Sequence, residues 1–141
     1  MSTLLKNATI IDATSPYHNQ KKDILISEGK IEKIANSIPE KDSYTVLVLK
    51  NLHISCGWFD TSVCLGEPGF EERETLKNGL QVAAKSGFTS IAINANTFPV
   101  IDSKSDVEYL IQKAFNTATN LYPIAALTKE SKGLEMAELY D

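Results

Sequence analysis

Over the first fifty residues, apolar and polar positions alternate in short runs: Leu4 to Ile11, Asp23 to Ile26, Lys30 to Ile34 and Thr45 to Leu49. A period of two in β-rich runs bounded by polar breaks predicts strands. Ser27-Glu28-Gly29-Lys30 predicts a tight hairpin between the second and third runs. Asp12 to Lys22, with Ser15-Pro16 and Asn19-Gln20, has the turn chemistry of a surface loop. Residues 1–51 are therefore expected to form a small antiparallel β-sheet.

After Asn51 the pattern changes to apolar strands followed by helical periodicity, the signature of repeated βα units and a parallel sheet. Ile54 to Cys64 is the first expected strand of this part, with Trp58 and Phe59 in its core. Glu72 to Ser86 is expected to be a helix, with Leu76, Leu80 and Ala83 or Ala84 on one stripe and Gly87 as the residue that ends it. Phe88 to Ala95 is the second strand. Ser105-Asp106-Val107-Glu108 reads as a capping box that opens a helix carrying Val107, Leu110, Ile111 and Ala114. Leu121 to Leu127 is the third strand, and Leu134 to Tyr140 opens a third helix. The fold class is α/β, with a domain of residues 1–51 and a second of 52–141.

Composition narrows the function classes. The chain has 141 residues, 43% of them apolar, and a net charge of -4, so a sizeable core is available and the basic face needed to bind nucleic acid is absent. No segment reaches the ~18 apolar residues of a membrane span, and Met-Ser-Thr-Leu-Leu-Lys has no long apolar secretory core. A cytoplasmic location is the default expectation. Cys56 and Cys64, eight residues apart on one expected strand, lie too far apart to bridge and are expected to be reduced, buried thiols.

The stretch Gly57-Trp58-Phe59-Asp60-Thr61-Ser62-Val63-Cys64-Leu65-Gly66-Glu67-Pro68-Gly69-Phe70-Glu71 carries the most information. It resembles the first barrel strand of the dihydroorotases, within the cyclic amidohydrolases, where the pattern is G-F-x-D-x-H-x-H-x-R-E-P-G-x-E. In that pattern two histidines hold zinc and an arginine holds the substrate carboxylate. Gly57, Asp60, Glu67, Pro68, Gly69 and Glu71 match; Ser62, Cys64 and Gly66 stand at the two histidines and the arginine. Asn94-Ala95-Asn96-Thr97-Phe98-Pro99-Val100-Ile101-Asp102 resembles the family's M-P-N-T-x-P-V-I-D, whose asparagine binds substrate, and Tyr122 to Lys129 resembles its Y-P-I-G-A-I-T-K. The resemblance covers nearly the whole chain.

The resemblance implies a small sheet forming half of a composite β-sandwich, followed by a metal-dependent (β/α)₈ barrel. It also implies reversible hydrolysis of the cyclic amide dihydroorotate to N-carbamoyl-aspartate in pyrimidine synthesis. Such a barrel takes roughly 250 residues, so the chain is expected to hold its first three βα units, as a fragment or as a chain completed by a partner. Positions 62 and 64, two apart on a strand, face the same way into the barrel mouth. A catalytic zinc there would lower the pKa of a bound water and polarise the carbonyl. Serine is a poor zinc ligand, one thiolate does not fix an ion, and His18 and His53 lie outside the motif. Glycine at 66 lacks the bidentate carboxylate clamp.

The expected reading is therefore a catalytically inactive dihydroorotase-like protein, a pseudoenzyme without a resident metal, whose fold serves assembly with aspartate transcarbamoylase or self-association. Asn96 is the expected substrate contact, and Asp60, Glu67, Pro68 and Gly69 are expected to scaffold the motif. Lys129 and Lys132 are expected to form a solvated basic surface. Two alternatives remain open: an active zinc enzyme that uses Cys64 with ligands beyond residue 141, and a small-molecule sensor built on Asn96.

Overall fold

The computed structural model describes residues 2–138, which fall into two compact units divided between Cys56 and Gly57. The first unit holds β1 (Ser2–Ile11), β2 (Lys21–Ser27), β3 (Lys30–Ala35), β4 (Tyr44–Val48) and β5 (His53–Ser55) in one sheet of order β3-β2-β1-β4, with β5 also on β1. Its β2-β3 turn has positive φ at Glu28 (51°) and Gly29 (74°), the left-handed pair that matches the twist of a two-residue hairpin.

The sheet is mixed, which corrects the antiparallel expectation. β1 pairs antiparallel with β2, but parallel with β4 through Ser2 to Lys6 and with β5 through Thr9 to Ile11. Alternation marks a strand without its direction, and here the chain crosses back after β3 before adding β4 beside β1. The expected strand from Ile54 to Cys64 is accordingly two strands, the first of which closes this sheet, so the unit ends five residues later than residue 51.

A bulge in β1 organises the centre of the sheet. The register with β2 shifts between Leu5 and Ala8, where Asn7 takes φ 52°. Asp23, 1% exposed, sits against this bulge and accepts from Lys6 Nζ at 2.6 Å, Asn7 N at 2.9 Å and Ile38 N at 2.9 Å. A buried charge is tolerated only when so partnered. Burial pushes the Asp23 carboxyl up, but the Lys6 hydrogen bond and the two amides outweigh it and hold it below the usual carboxylate value.

The second unit is α/β. β6 (Trp58–Val63), β7 (Phe88–Ile93) and β8 (Asn120–Pro123) form a parallel sheet in that order, with α1 (Leu76–Lys85) after β6 and α2 (Lys104–Lys113) after β7. Leu76 and Leu80 from α1 and Leu110 from α2 meet Ile91, Ile93 and Ile101 in one buried cluster. α1 starts at Leu76 rather than Glu72 because residues 71–73 form a turn, and Thr75 Oγ1 accepts from Asn78 N at 3.2 Å as the cap. It ends as expected, with Gly87 at φ 91° just past the Ser86 cap.

Several expectations fail in this unit. The α2 cap is Ser103, whose Oγ accepts from Asp106 N at 3.3 Å, so the cap lies two residues before Ser105. Leu134 to Glu138 is not helical: Met136 bridges to Thr128, and the Leu139 and Tyr140 end of that expected helix lies outside the described residues. Trp58 is 59% and Phe59 54% exposed, because β6 is an edge strand. Trp58 makes an edge contact with Phe88 and Phe59 a tilted ring contact with Tyr122. Both cysteines are free and exposed rather than buried. Among the described residues no helix is long and apolar enough to cross a membrane.

Candidate functional site

The C-terminal ends of β6 and β7 lie side by side, and the main-chain pairing continues past them, with Asn94 N donating to Val63 O at 2.9 Å. Residues two apart on each strand project to one side, so Ser62 and Cys64 from the first meet Asn94 and Asn96 from the second. The Asn94 side-chain amide donates to Ser62 Oγ at 3.1 Å and to Cys64 Sγ at 3.4 Å, and the Asn96 amide donates to Cys64 Sγ at 3.2 Å. Positions 62 and 64, expected on one face, are thus joined by Asn96, which the sequence offered separately as a substrate contact. Asn94 is the member that the sequence reading passed over, although its place two residues before Asn96 signalled the same face.

Gly66 follows in a loop that folds back on itself. Gly66 N donates to Glu74 O at 3.1 Å and Phe70 N donates to Gly66 O at 2.8 Å. A Cβ at position 66 would stand 1.9 Å from the Phe70 carbonyl oxygen, so this backbone admits no side chain there. Gly69 is held likewise: its φ is 93° and a Cβ would stand 1.9 Å from Phe98 O, while Phe98 N donates to Pro68 O at 3.0 Å. The loop after β6 and the loop after β7 are thereby stitched together beside the cluster.

Asp60 and Glu67 do not converge. Asp60 Oδ1 accepts from Ser62 N at 3.1 Å within its own strand. Glu67, 7% exposed, accepts from Leu76 N at 2.7 Å and forms an ion pair with Lys113. Its carboxylate thus sits at the N-terminus of α1, where orphan amides favour an anion, and ties the loop to the end of α2. Glu71 Oε1 accepts from Gly69 N at 3.0 Å, which holds that carboxyl below its usual value. Lys129 and Lys132 pair with Glu135 and Glu130 at the surface.

The donor set does not fit a catalytic zinc. Among the described residues no three His, Cys, Asp or Glu side chains converge as a metal shell requires. Ser62 and Cys64 face two neutral amide donors instead. Both histidines belong to the first unit, where His18 Nδ1 accepts from Asp12 N at 3.1 Å and His53 Nδ1 lies 2.8 Å from Asn51 O. A cavity of about 480 Å³ does open in the second unit, but between α1 and α2, lined by residues such as Lys77, Leu80, Ala84 and Phe115 and by none of the cluster.

The family model described as dihydro-orotase-like matches residues 52–141, the portion that carries this cluster. The chain belongs to the dihydroorotase-like family. It is 38% identical to a dihydroorotase of Syntrophus aciditrophicus (strain SB), covering 100% of this chain and 33% of the relative. With a dihydroorotase of Pelotomaculum thermopropionicum it shares 37% identity at the same coverages. The chain spans about a third of the length of these curated relatives.

Solved amidohydrolases share the fold of this dihydroorotase-like chain. The L-hydantoinase (dihydropyrimidinase) of Arthrobacter aurescens matches with TM-score 0.70 and 17% identity over 89% of this chain and 28% of that one. A crystallised dihydroorotase matches with TM-score 0.60 and 16% identity over 92% and 32%. At these identities the likeness speaks for the α/β fold alone.

Proposed function

We propose that this chain is a dihydroorotase-like protein of pyrimidine biosynthesis whose first-strand centre is non-catalytic, its fold retained for assembly with a partner such as aspartate transcarbamoylase. On this reading β6, β7 and β8 are the first three strands of a (β/α)₈ barrel, and Ser62 and Cys64 mark the end where such barrels place their chemistry. The carrying observation is the closed contact set of Ser62, Cys64, Asn94 and Asn96 beside a Gly66 cradle that has no room for a side chain.

Hydrolysis of a cyclic amide needs an ionised nucleophile and a group that polarises the carbonyl. A serine hydroxyl and a thiol hydrogen-bonded to two carboxamides supply neither a metal shell nor a general base. An acidic ring also needs a cation, and the family's guanidinium position is a glycine. Asn96 keeps a polar contact at the strand end, but its amide is already directed at Cys64.

A second reading is favoured by the relatives' threefold greater length: further ligands lie later in the polypeptide and an altered centre turns over. Zinc content measured together with turnover of dihydroorotate and N-carbamoyl-aspartate separates the two. The proposal expects no retained zinc and no turnover in either direction. Turnover that is lost in Cys64→Ala would replace it with the second reading.

A further inference from the structure

The groove of about 480 Å³ between α1 and the turn after α2 has a volume in the range of small-molecule sites. Both of its walls belong to the second unit. Lys77, Gln81 and Ala84 follow at helical spacing along one face of α1, and residues 113–118 face them. The second wall is fixed before any ligand arrives. Thr117 Oγ1 lies 2.7 Å from Ala114 O and 2.9 Å from Thr119 O, and Thr119, 1% exposed, donates through its hydroxyl to Phe88 O at 2.8 Å. The turn is thereby tied to the start of β7, and the Thr117 hydroxyl is engaged by main chain.

Charge in the groove runs against that of the chain. Acids outnumber bases 18 to 14 overall, yet two lysines and no acid line the groove. Lys113 is answered by Glu67. Among the described residues Lys77 has no ion pair, and the side-chain amides of Gln81 and Asn116 have no hydrogen bond. The lining is also graded along α1. Lys77 and Gln81 stand toward its N-terminal end, whereas Ala84 lies about 10 Å from Lys77 along the axis at 1.5 Å per residue, with the buried Leu80 between them.

We propose that this groove binds a small organic monoanion with a flat apolar body, an aromatic carboxylate of about the length of two fused rings. Its carboxylate pairs with Lys77 and accepts from the Gln81 and Asn116 amides, a charge-assisted set. Its rings cover Leu80, Ala84 and Ala118, with Phe115, 77% exposed, as an aromatic platform at the rim. A single unanswered cation favours one negative charge over a phosphate dianion.

Titration of the chain with 2-naphthoate, followed by amide nitrogen–proton correlation spectra, tests this. Saturable shifts are expected at residues 77–84 and 113–118, with a Kd of about 1 mM for a ligand of this size. 2-Naphthamide, with the same rings and no charge, should bind about fivefold more weakly, and inorganic phosphate should leave these amides unmoved. Lys77→Met, at an exposed position, should abolish the preference for the acid while keeping the amide's affinity. Ala84→Trp, which fills the apolar end, should abolish binding of both, with amides outside the groove unchanged as the check on folding. No saturable shift by about 10 mM overturns the proposal, as do shifts centred on the exposed rings of Trp58 and Phe59 instead. Equal affinity for acid and amide, phosphate shifts matching those of naphthoate, or a preference that survives Lys77→Met would each overturn it too.

Discussion

The Asn96 side-chain amide donates to the Cys64 sulfur at 3.2 Å, joining the end of β7 to the end of β6 at the two positions where the family resemblance puts a substrate contact and a metal ligand. Both residues are open to solvent. A thiol reagent such as Ellman's reagent is therefore expected to modify two thiols per native chain, Cys56 and Cys64, without denaturant. Modification of fewer than two would show that the sulfur at the strand end is covered.

The loop after β6 makes a sharper prediction. At position 66 the obstacle is the β-carbon itself, 1.9 Å from Phe70 O, so Gly66→Ala and Gly66→Arg should cost similar stability, about 2–4 kcal/mol each by urea denaturation. If Gly66→Arg is tolerated while Gly66→Ala is not, the loop has a second arrangement that accommodates a long side chain.

How much of this was legible in the sequence depends on how local each cause is. The first four strands, the β2-β3 hairpin and the Gly87 stop follow from residue pattern within a few positions and are where the pattern placed them, whereas the run expected as one strand from Ile54 to Cys64 is two and the strand expected to reach Leu127 ends at Pro123. The α2 cap was displaced because Ser103 and Ser105 are both followed three residues later by an acid, and sequence alone does not choose between them. The direction of β4 and β5 beside β1, and the exposure of Trp58 and Phe59 on an edge strand, depend on what lies across the sheet, which local pattern does not encode. In the site, Ser62, Cys64 and Asn96 were legible from the motif frame and the two-residue period, and Asn94 was within reach of the same rule. The reach of Lys113 to Glu67, 46 residues on, had no sequence signal.

The two candidate caps can be told apart by experiment. Ser103→Ala should destabilise the chain by about 1 kcal/mol through loss of the Asp106 amide bond, while Ser105→Ala should stay within about 0.5 kcal/mol of wild type. The reverse order in thermal melts would restore the box at Ser105 to Glu108.

Asp23 sets the acid response of the first unit. Its carboxyl is held below the ordinary value of 3.8, so its contribution is complete above the unfolded-state value and is lost as pH falls through the lower folded-state value. Asp23→Asn should cost about 2–3 kcal/mol at pH 7 by leaving Lys6 without its buried partner, and should flatten the loss of stability below about pH 4. An unchanged acid limb in urea titrations at several pH values would contradict this.

Zinc titration of the chain and of its Cys64→Ala variant, in competition with a chromophoric chelator, tests the central claim most directly. The expected result is that neither chain takes zinc from the chelator and the two curves coincide, because the cluster of Ser62, Cys64, Asn94 and Asn96 offers a single ligand of real affinity. One zinc per chain, released when Cys64 becomes alanine, would contradict it.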